Sequence, residues 1–467
     1  MQWLVDKARR AMGHAVASSI IKFDRTQSCR LALGRRQTAN LRALLPNCVI
    51  PSSPWRSPVL RRGRPASQLE RNLNRVVENQ NCSGCGVCVL VSPRLTMGLD
   101  ADGFNRPILN GSDTHDQDIV AATKFAAVCP GYGLQAPDGL GKRYHPIFGS
   151  YVEAWQGWAT DPAIRRAGSS GGILTALADW LVSTGQVGEV ASSGMSPVRP
   201  TVTVPLTIRS RTTALAAAGS RYAPVSNTVP GSHCGAFIGK PCEVSARFQL
   251  ATVSPQVERQ SPVLLSFFCA GTPSQHATDD LATKLVGELD HVTSLRYRGN
   301  GWPGEFVVST SDGRAARASY ERSWGDHLGK RLQDRCKLCP DGTGEHADIA
   351  VGDYWAVDER GFPIFADAEG NSVVIARTQR GAALLAAAVV QNIVSIKPVD
   401  LASVAAVQPL QKQRRLTLAG RLVGRRLSGR RVPKYRGYGL LKRMLEHPAL
   451  NARAALGTFA RSSGFRK

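Results

Sequence analysis

Three cysteines two residues apart constrain this chain more than any other feature. They read Cys82-Ser-Gly-Cys85-Gly-Val-Cys88, and Cys129-Pro130 follows at a distance. A [4Fe–4S] cube takes four thiolates. Two-residue spacers let one tight loop present three of them, and the fourth arrives from elsewhere, often just ahead of a proline. Gly84 and Gly86 allow the backbone to curl close to inorganic sulfur. A zinc ribbon would favour two separated CxxC pairs instead. The chain opens without a secretory-leader pattern, which argues against a disulfide framework. The expected cofactor is a [4Fe–4S] cluster on Cys82, Cys85, Cys88 and Cys129, and the expected chemistry is electron transfer.

At 467 residues the chain has room for two or three domains with cores of their own. No apolar run is long enough to span a bilayer. The nearest, from Gly381 to Ile396, is interrupted by Gln391 and Asn392 and reads as a packed helix. The formal charge of +24 sits at the ends: residues 1–69 have 13 Lys/Arg against 2 Asp/Glu, and 412–467 have 16 against 1. The stretch between is close to neutral. Basic ends suit a peripheral membrane contact or nucleic acid, and the N-terminal composition also suits a targeting peptide or a misassigned start. No zinc finger, RNP signature or aromatic-basic interleaving accompanies the charge, which argues against nucleic acid. A cytoplasmic location is expected.

The organisation expected is α/β (α+β). Residues 1–72 form a basic extension, with a short amphipathic helix over 1–20 and a Pro-, Ser- and Arg-rich linker over 45–69. A small ferredoxin-like [4Fe–4S] module covers 73–145. A mixed α/β region follows, divided at 150–255 and 256–410, and a basic tail covers 411–467. Ile173, Leu174, Leu177 and Leu181 lie at helical spacing, with Gly185 as the stop. Strands are expected at Val187–Ala191, Ala236–Gly239, Val263–Phe268, across His291–Val308, near Asp348–Trp355 and last at Ser372–Ala376. Strands alternating with helices argue for a sheet covered by helices.

A second cysteine set, Cys242, Cys269, Cys336 and Cys339, falls at strand ends and in turns. Such loop ends converge on α/β scaffolds, so the four either hold a second cluster or are small buried residues. Cys29, Cys48 and Cys234 have no partner spacing. Gly168-Ser169-Ser170-Gly171-Gly172 precedes a helix and exposes backbone N–H groups suited to a phosphate or pyrophosphate. It is neither a Walker A motif nor a GxGxxG fingerprint. An iron–sulfur protein with a two-electron partner points to a flavin, and FAD needs such a cradle. Lys240 either pairs with phosphate or a flavin carbonyl, or is solvated. Trp302 and Tyr354-Trp355 either stack on a flavin or pack in the core. Asp353 is either an acid or a strand-end hydrogen bond.

In order along the chain, these motifs resemble the beta-subunit family of coenzyme F420 (deazaflavin) hydrogenases and dehydrogenases. The matching stretches include Ser169–Leu177, Ser220-Arg-Tyr-Ala-Pro-Val225, Phe237–Cys242, Phe267–Ser274, Arg296–Gly304, Cys336–Cys339 and Asp348–Trp355. The resemblance covers about 75–410. It implies an FAD-containing iron–sulfur reductase with Ser169, Ser170, Gly171, Gly172 and Lys240 toward the flavin. The substrate implied is a deazaflavin coenzyme or another small organic molecule, and the partner is ferredoxin or a larger redox subunit. The branch of 7-hydroxymethyl chlorophyll reductases implies two clusters, the second on Cys242, Cys269, Cys336 and Cys339. The family also has members associated with bacterial polysaccharide synthesis, which implies a noncatalytic or electron-transfer role as the alternative.

Overall fold

In the computed structural model the described residues are 66–463, apart from 112–113, 138, 140, 142, 231–233, 255–261, 357, 359–363 and 365–367. The expected helix over 1–20 lies outside them, as do nearly all of the expected linker and basic extension. The first helix, Gln68–Val77, is capped by Ser67, whose side chain accepts from the Glu70 amide. It packs on the helix His115–Val128, which begins with a Thr114–Gln117 capping box. Between them lie the cysteine loop and the hairpin of β1 (Leu95–Leu99) and β2 (Asn105–Leu109). Their core is Leu69, Leu73, Val76, Leu95 and Phe125, into which Cys82 and Cys88 pack. Small strands β3 (Gly133–Gln135), β4 (Arg143–His145) and β5 (Gly149–Tyr151) lead out of this module.

One eight-stranded sheet dominates the rest. Its strands are β6 (Glu153–Ala159), β7 (Val190–Met195), β8 (Thr203–Ile208), β9 (Ala236–Gly239) and β10 (Val263–Phe267), then β14 (Ile349–Asp353), β15 (Ser372–Ala376) and β16 (Val394–Pro398). The order is β16-β6-β15-β14-β10-β9-β7-β8. β7, β9, β10 and β14 run parallel at the centre, and antiparallel strands flank them. The short apolar runs Ala236–Gly239 and Val263–Phe267 suit central parallel strands buried on both faces. The helix Ile173–Ser183 turns Ile173, Ala176, Leu177 and Leu181 onto this sheet. The chain then leaves through Gly185 at φ +69°.

The expected division at 255/256 does not separate two cores. β6 inserts between β15 and β16, and β9 pairs with β10, so both segments build one sheet. Ser372–Ala376 is not the last strand: β16 follows, because the helix Gln379–Val390 returns the chain to the edge of β6. A three-stranded antiparallel layer, β11 (Val292–Arg296), β12 (Phe306–Thr310) and β13 (Ala315–Ala318), has its own core around Tyr297, Phe306 and Leu281.

The segment after 411, expected as a tail, is folded. Helices Pro409–Leu427, Leu440–Glu446 and Pro448–Ser462 follow one another, and β17 (Lys434–Arg436) pairs in parallel with β3 of the cysteine module. Gly420 and Gly424 lie one turn apart, and a Cβ on either would sit 2.1 Å from a carbonyl of Asn451 or Ala455. Their small size therefore sets how closely the two long helices approach. Composition alone reads this segment as solvated because its arginines carry the charge. Several are buried against partners instead: Arg415 pairs with Glu345 at 2.7 Å, and Arg425 with Asp334 at 3.2 Å. No helix among the described residues is long and apolar enough to cross a membrane.

Candidate functional site

The loop from Cys82 to Cys88 folds tightly because Gly84 and Gly86 adopt φ of +68° and +76°. A Cβ on Gly86 would lie 1.7 Å from the Ser226 hydroxyl. Cys88 rides on the 3-10 turn Val87–Leu90, and Cys129 ends the helix His115–Val128. The Gly84 amide donates to Cys82 Sγ at 3.4 Å. The sheet domain pins this loop from outside. Ser226 Oγ donates to the Cys85 carbonyl at 3.1 Å, and Gln333 Nε2 donates to that of Ser83 at 3.0 Å. Burial pushes the Cys85 thiol up to about 11, and burial together with the neighbouring cysteines pushes Cys88 and Cys129 well above the ordinary thiol value. Such thiols ionise only where cationic metal repays the desolvation.

The second set assembles at the carboxyl ends of the parallel strands. Cys242 follows β9 at the start of the helix Pro241–Val253, so the expected turn there is a helix opening with proline at its first position. Cys269 follows β10, and Cys336 and Cys339 flank the end of the helical turn Asp334–Lys337. The Thr272 amide donates to Cys336 Sγ at 3.3 Å, and the Cys339 thiol donates to the Asp341 carbonyl at 2.9 Å. Burial, with Cys336 as the foremost neighbour, raises Cys269 to about 12. Among the described residues no three His, Cys, Asp or Glu side chains converge as a single metal ion requires. The two sets adjoin: Cys85 and Cys242 share one apolar cluster with Val87, Ala246 and Leu250.

A cavity of about 360 Å³ opens at the same strand ends. Cys269 lines it, as do Ser169, Ser170, Gly172 and Lys240. The helix Ile173–Ser183 begins there with Gly172 at φ +76° and no side-chain cap, so its first amides face the cavity without a protein acceptor from the cap position. Gly171 differs from the other members of the run. Its N–H donates to Ser372 Oγ at 2.8 Å, and it does not line the cavity. Ser170 Oγ meets Ser372 Oγ at 2.7 Å, and Ser169 Oγ meets Ser220 Oγ at 2.7 Å. Lys240 is neither solvated nor free: Nζ donates to the Val225 carbonyl at 2.8 Å and pairs with Glu243 at 3.0 Å. Burial alone would lower its pKa, but Glu243 holds it above the ordinary value.

The main polar wall of the cavity is a residue that spacing does not reveal. Arg298 is buried, pairs with Asp353 at 2.8 Å, and lies over the rings of Tyr320, Trp302 and Trp355. Its Nη2, like Arg221 Nη2 and Asn227 Oδ1 on the same lining, is buried with no hydrogen-bond partner among the described residues. Asp353 is thus an ion-pair partner and not a free acid. Trp355 lines the cavity beside Tyr222, Tyr320 and Trp324, whereas Trp302 packs behind it and Tyr354 turns to another core with Phe268 and Leu416. The only sequence signal for Arg298 is its place between Tyr297 and the glycine-rich turn.

The cysteine-bearing module joined to this α/β sheet is of the iron–sulfur class: residues 76–135 match a 4Fe–4S single cluster domain. Residues 154–229 match the N-terminal model of the coenzyme F420 hydrogenase/dehydrogenase beta subunit and residues 235–402 its C-terminal model; the chain belongs to that family. Over 210 residues, 43% of this chain, it is 26% identical to the F420-dependent formate dehydrogenase 1 subunit beta of Methanococcus maripaludis. The match covers 52% of that protein, so the chain spans about half the length of this curated relative. A chain of the xenon-derivatized F420-reducing [NiFe] hydrogenase complex from Methanosarcina barkeri overlays 58% of this chain and 93% of its own, with a TM-score of 0.43 and 23% identity.

Proposed function

We propose that this chain passes electrons between two [4Fe–4S] clusters and an FAD, and exchanges a hydride equivalent with a deazaflavin coenzyme or a similar small organic substrate. Cys82, Cys85, Cys88 and Cys129 would hold one cluster, and Cys242, Cys269, Cys336 and Cys339 the other. FAD would lie in the cavity. The observation that carries this reading is contiguity: Cys85 and Cys242 share a core, and Cys269 of the second set lines the cavity.

The residues present fit these groups. Within each set the thiols lie close enough to act on one another, Cys88 with Cys82, Cys85 and Cys129, and Cys269 with Cys336 and Cys339, which suits thiolates gathered around one cube. The uncapped amides of Ile173, Leu174 and Thr175 suit a pyrophosphate, while Ser169, Ser170 and Gly172 shape its approach. The unpaired Arg298 Nη2, Arg221 Nη2 and Asn227 Oδ1 suit ring carbonyls and nitrogens. Iron–sulfur clusters move single electrons and a flavin moves pairs, so together they join a one-electron partner to a hydride donor or acceptor.

The protein's own contribution is positioning and exclusion of water. Ser372 holds the Ser170–Gly171 turn from behind, which fixes where the helix N-terminus points. Tyr222, Tyr320, Trp324 and Trp355 give the cavity flat apolar faces. Burial raises Tyr320 well above its ordinary value, so its phenol keeps its proton at Oη. Asp353 neutralises Arg298 in part, so the wall is a polarising donor without a full net charge.

A larger redox partner is supported by the relative's being a beta subunit of a formate dehydrogenase. The test is iron and flavin analysis, with an absorbance spectrum, on protein purified without oxygen. About eight irons and one FAD per chain are expected, falling to about four irons in Cys242→Ala. Protein with neither iron nor flavin would overturn the proposal.

A further inference from the structure

We propose that the paired helices Pro409–Leu427 and Pro448–Ser462 form the docking surface for an acidic one-electron carrier protein. This rests on reading Cys242, Cys269, Cys336 and Cys339 as a cluster site.

The groove between the two helices is lined by Arg421, Arg453 and Arg461, with Gln413, Leu450 and Leu456 beside them. No Asp or Glu among the described residues pairs with these three arginines. Burial and the like charges of Arg414 and Arg461 bring Arg421 down to about 10. Uncompensated positive charge of this kind repels itself and is relieved by an anionic partner. Leu450 and Leu456 are exposed on the groove lining, and they supply the apolar contacts that a small, transient interface uses.

Position selects the kind of partner. Arg421 Nη1 donates to the Lys337 carbonyl at 3.2 Å, inside the Cys336–Cys339 loop. From the same helix, Arg414 donates to the carbonyls of Cys269 and Ala270 at 2.8 and 2.9 Å. The basic face is therefore anchored on two of the three segments that carry the second cysteine set, those of Cys269 and Cys336–Cys339. An electron carrier gains a short path from that adjacency, whereas a lipid surface gains nothing from it. Each encounter transfers one electron, the carrier losing what the cluster gains, or the reverse. The region lies beyond the matched family segment, which ends at 402.

The test uses the full-length holoprotein and, as probe, a reduced acidic [2Fe–2S] ferredoxin. In Arg453→Glu/Arg461→Glu, ferredoxin-driven reduction at low salt is expected to fall roughly tenfold or more, and its salt dependence to flatten. Reduction by dithionite and the iron content should not change. Arg314→Glu/Arg317→Glu, which makes the same charge change on the exposed β12–β13 hairpin, should behave as wild type. An unchanged ferredoxin rate in the groove variant, or an equal fall in the hairpin variant, overturns the proposal. So does loss of binding only to vesicles of phosphatidylcholine and phosphatidylglycerol, which would make the face a lipid contact. If the wild type holds no iron, the cluster reading fails separately. Calorimetric binding of the ferredoxin then decides the docking surface: binding lost in the groove variant supports it, and no binding by the wild type overturns it.

Discussion

The guanidinium of Arg335 donates from Nη2 to the carbonyl of Pro130 at 3.1 Å. From Nη1 it donates to the carbonyl of Leu338 at 3.2 Å. Pro130 follows Cys129 of the first set, and Leu338 precedes Cys339 of the second. One buried side chain therefore ties both cysteine loops together. Arg335→Gln keeps a donor but loses reach and charge. It should lower the stability of the holoprotein by about 1.5–3 kcal/mol, read as a lower urea midpoint. An unchanged midpoint would mean that the sets hold their places without the bridge.

Gly86 and Gly111 separate backbone strain from steric overlap. Both adopt positive φ, but a Cβ on Gly111 meets nothing within 4 Å among the described residues, while one on Gly86 would enter the Ser226 hydroxyl. Each substitution to alanine carries a backbone cost of about 1–2 kcal/mol. Only Gly86→Ala should displace the cysteine loop and reduce iron bound per chain. Equal iron in the two variants would contradict this.

Arg415 and Glu345 form an almost fully buried pair. Arg415→Met leaves the carboxylate without its partner and should cost about 3–5 kcal/mol. Adding Glu345→Leu should restore most of the loss, because the uncompensated charge is gone. Melting temperatures of the two singles and the double check this. A double variant as unstable as Arg415→Met would place the cost in packing and not in charge.

Asp118 accepts from the amides of Gln68, at 2.6 Å, and Leu69, at 3.3 Å, and so secures the start of the first helix. Burial alone would raise its pKa, but Ser67 and those two amides hold it below 3.8. A depressed carboxylate pKa stabilises the fold above its unfolded value, and that contribution is lost as pH falls through the folded value. The stability gap between wild type and Asp118→Asn should be about 1–2 kcal/mol at pH near 6 and close as the pH drops below 3.8. Urea unfolding at both pH values reads it; a gap that ignores pH would assign the effect to shape.

Ser372 Oγ takes the Gly171 amide and meets Ser170 Oγ. Ser372→Ala should loosen the turn that aims the helix Ile173–Ser183, weakening retention of the proposed FAD about tenfold, roughly 1.4 kcal/mol. Flavin fluorescence after dilution measures it. Wild-type retention would mean that Ser372 shapes the fold alone.

Local rules were enough for much of this protein. The CxxCxxC spacing with its two glycines specified a tight thiol loop, because positive φ is cheap only for glycine. Short apolar runs ending at cysteines specified β9 and β10, and helical spacing after Gly172 specified a helix. Long-range pairing decided what local patterns do not carry. Nothing near residue 156 indicates that β6 will lie between β15 and β16, so a linear division into domains missed the single sheet. Arg298 and Arg335 look like ordinary surface arginines until Asp353, Pro130 and Leu338 surround them. The basic segment after 411 read as a tail because composition counts charges but not their partners. Only the tertiary structure, by burying Arg415 on Glu345 and setting Arg414 against the Cys269 loop, made that segment part of the fold.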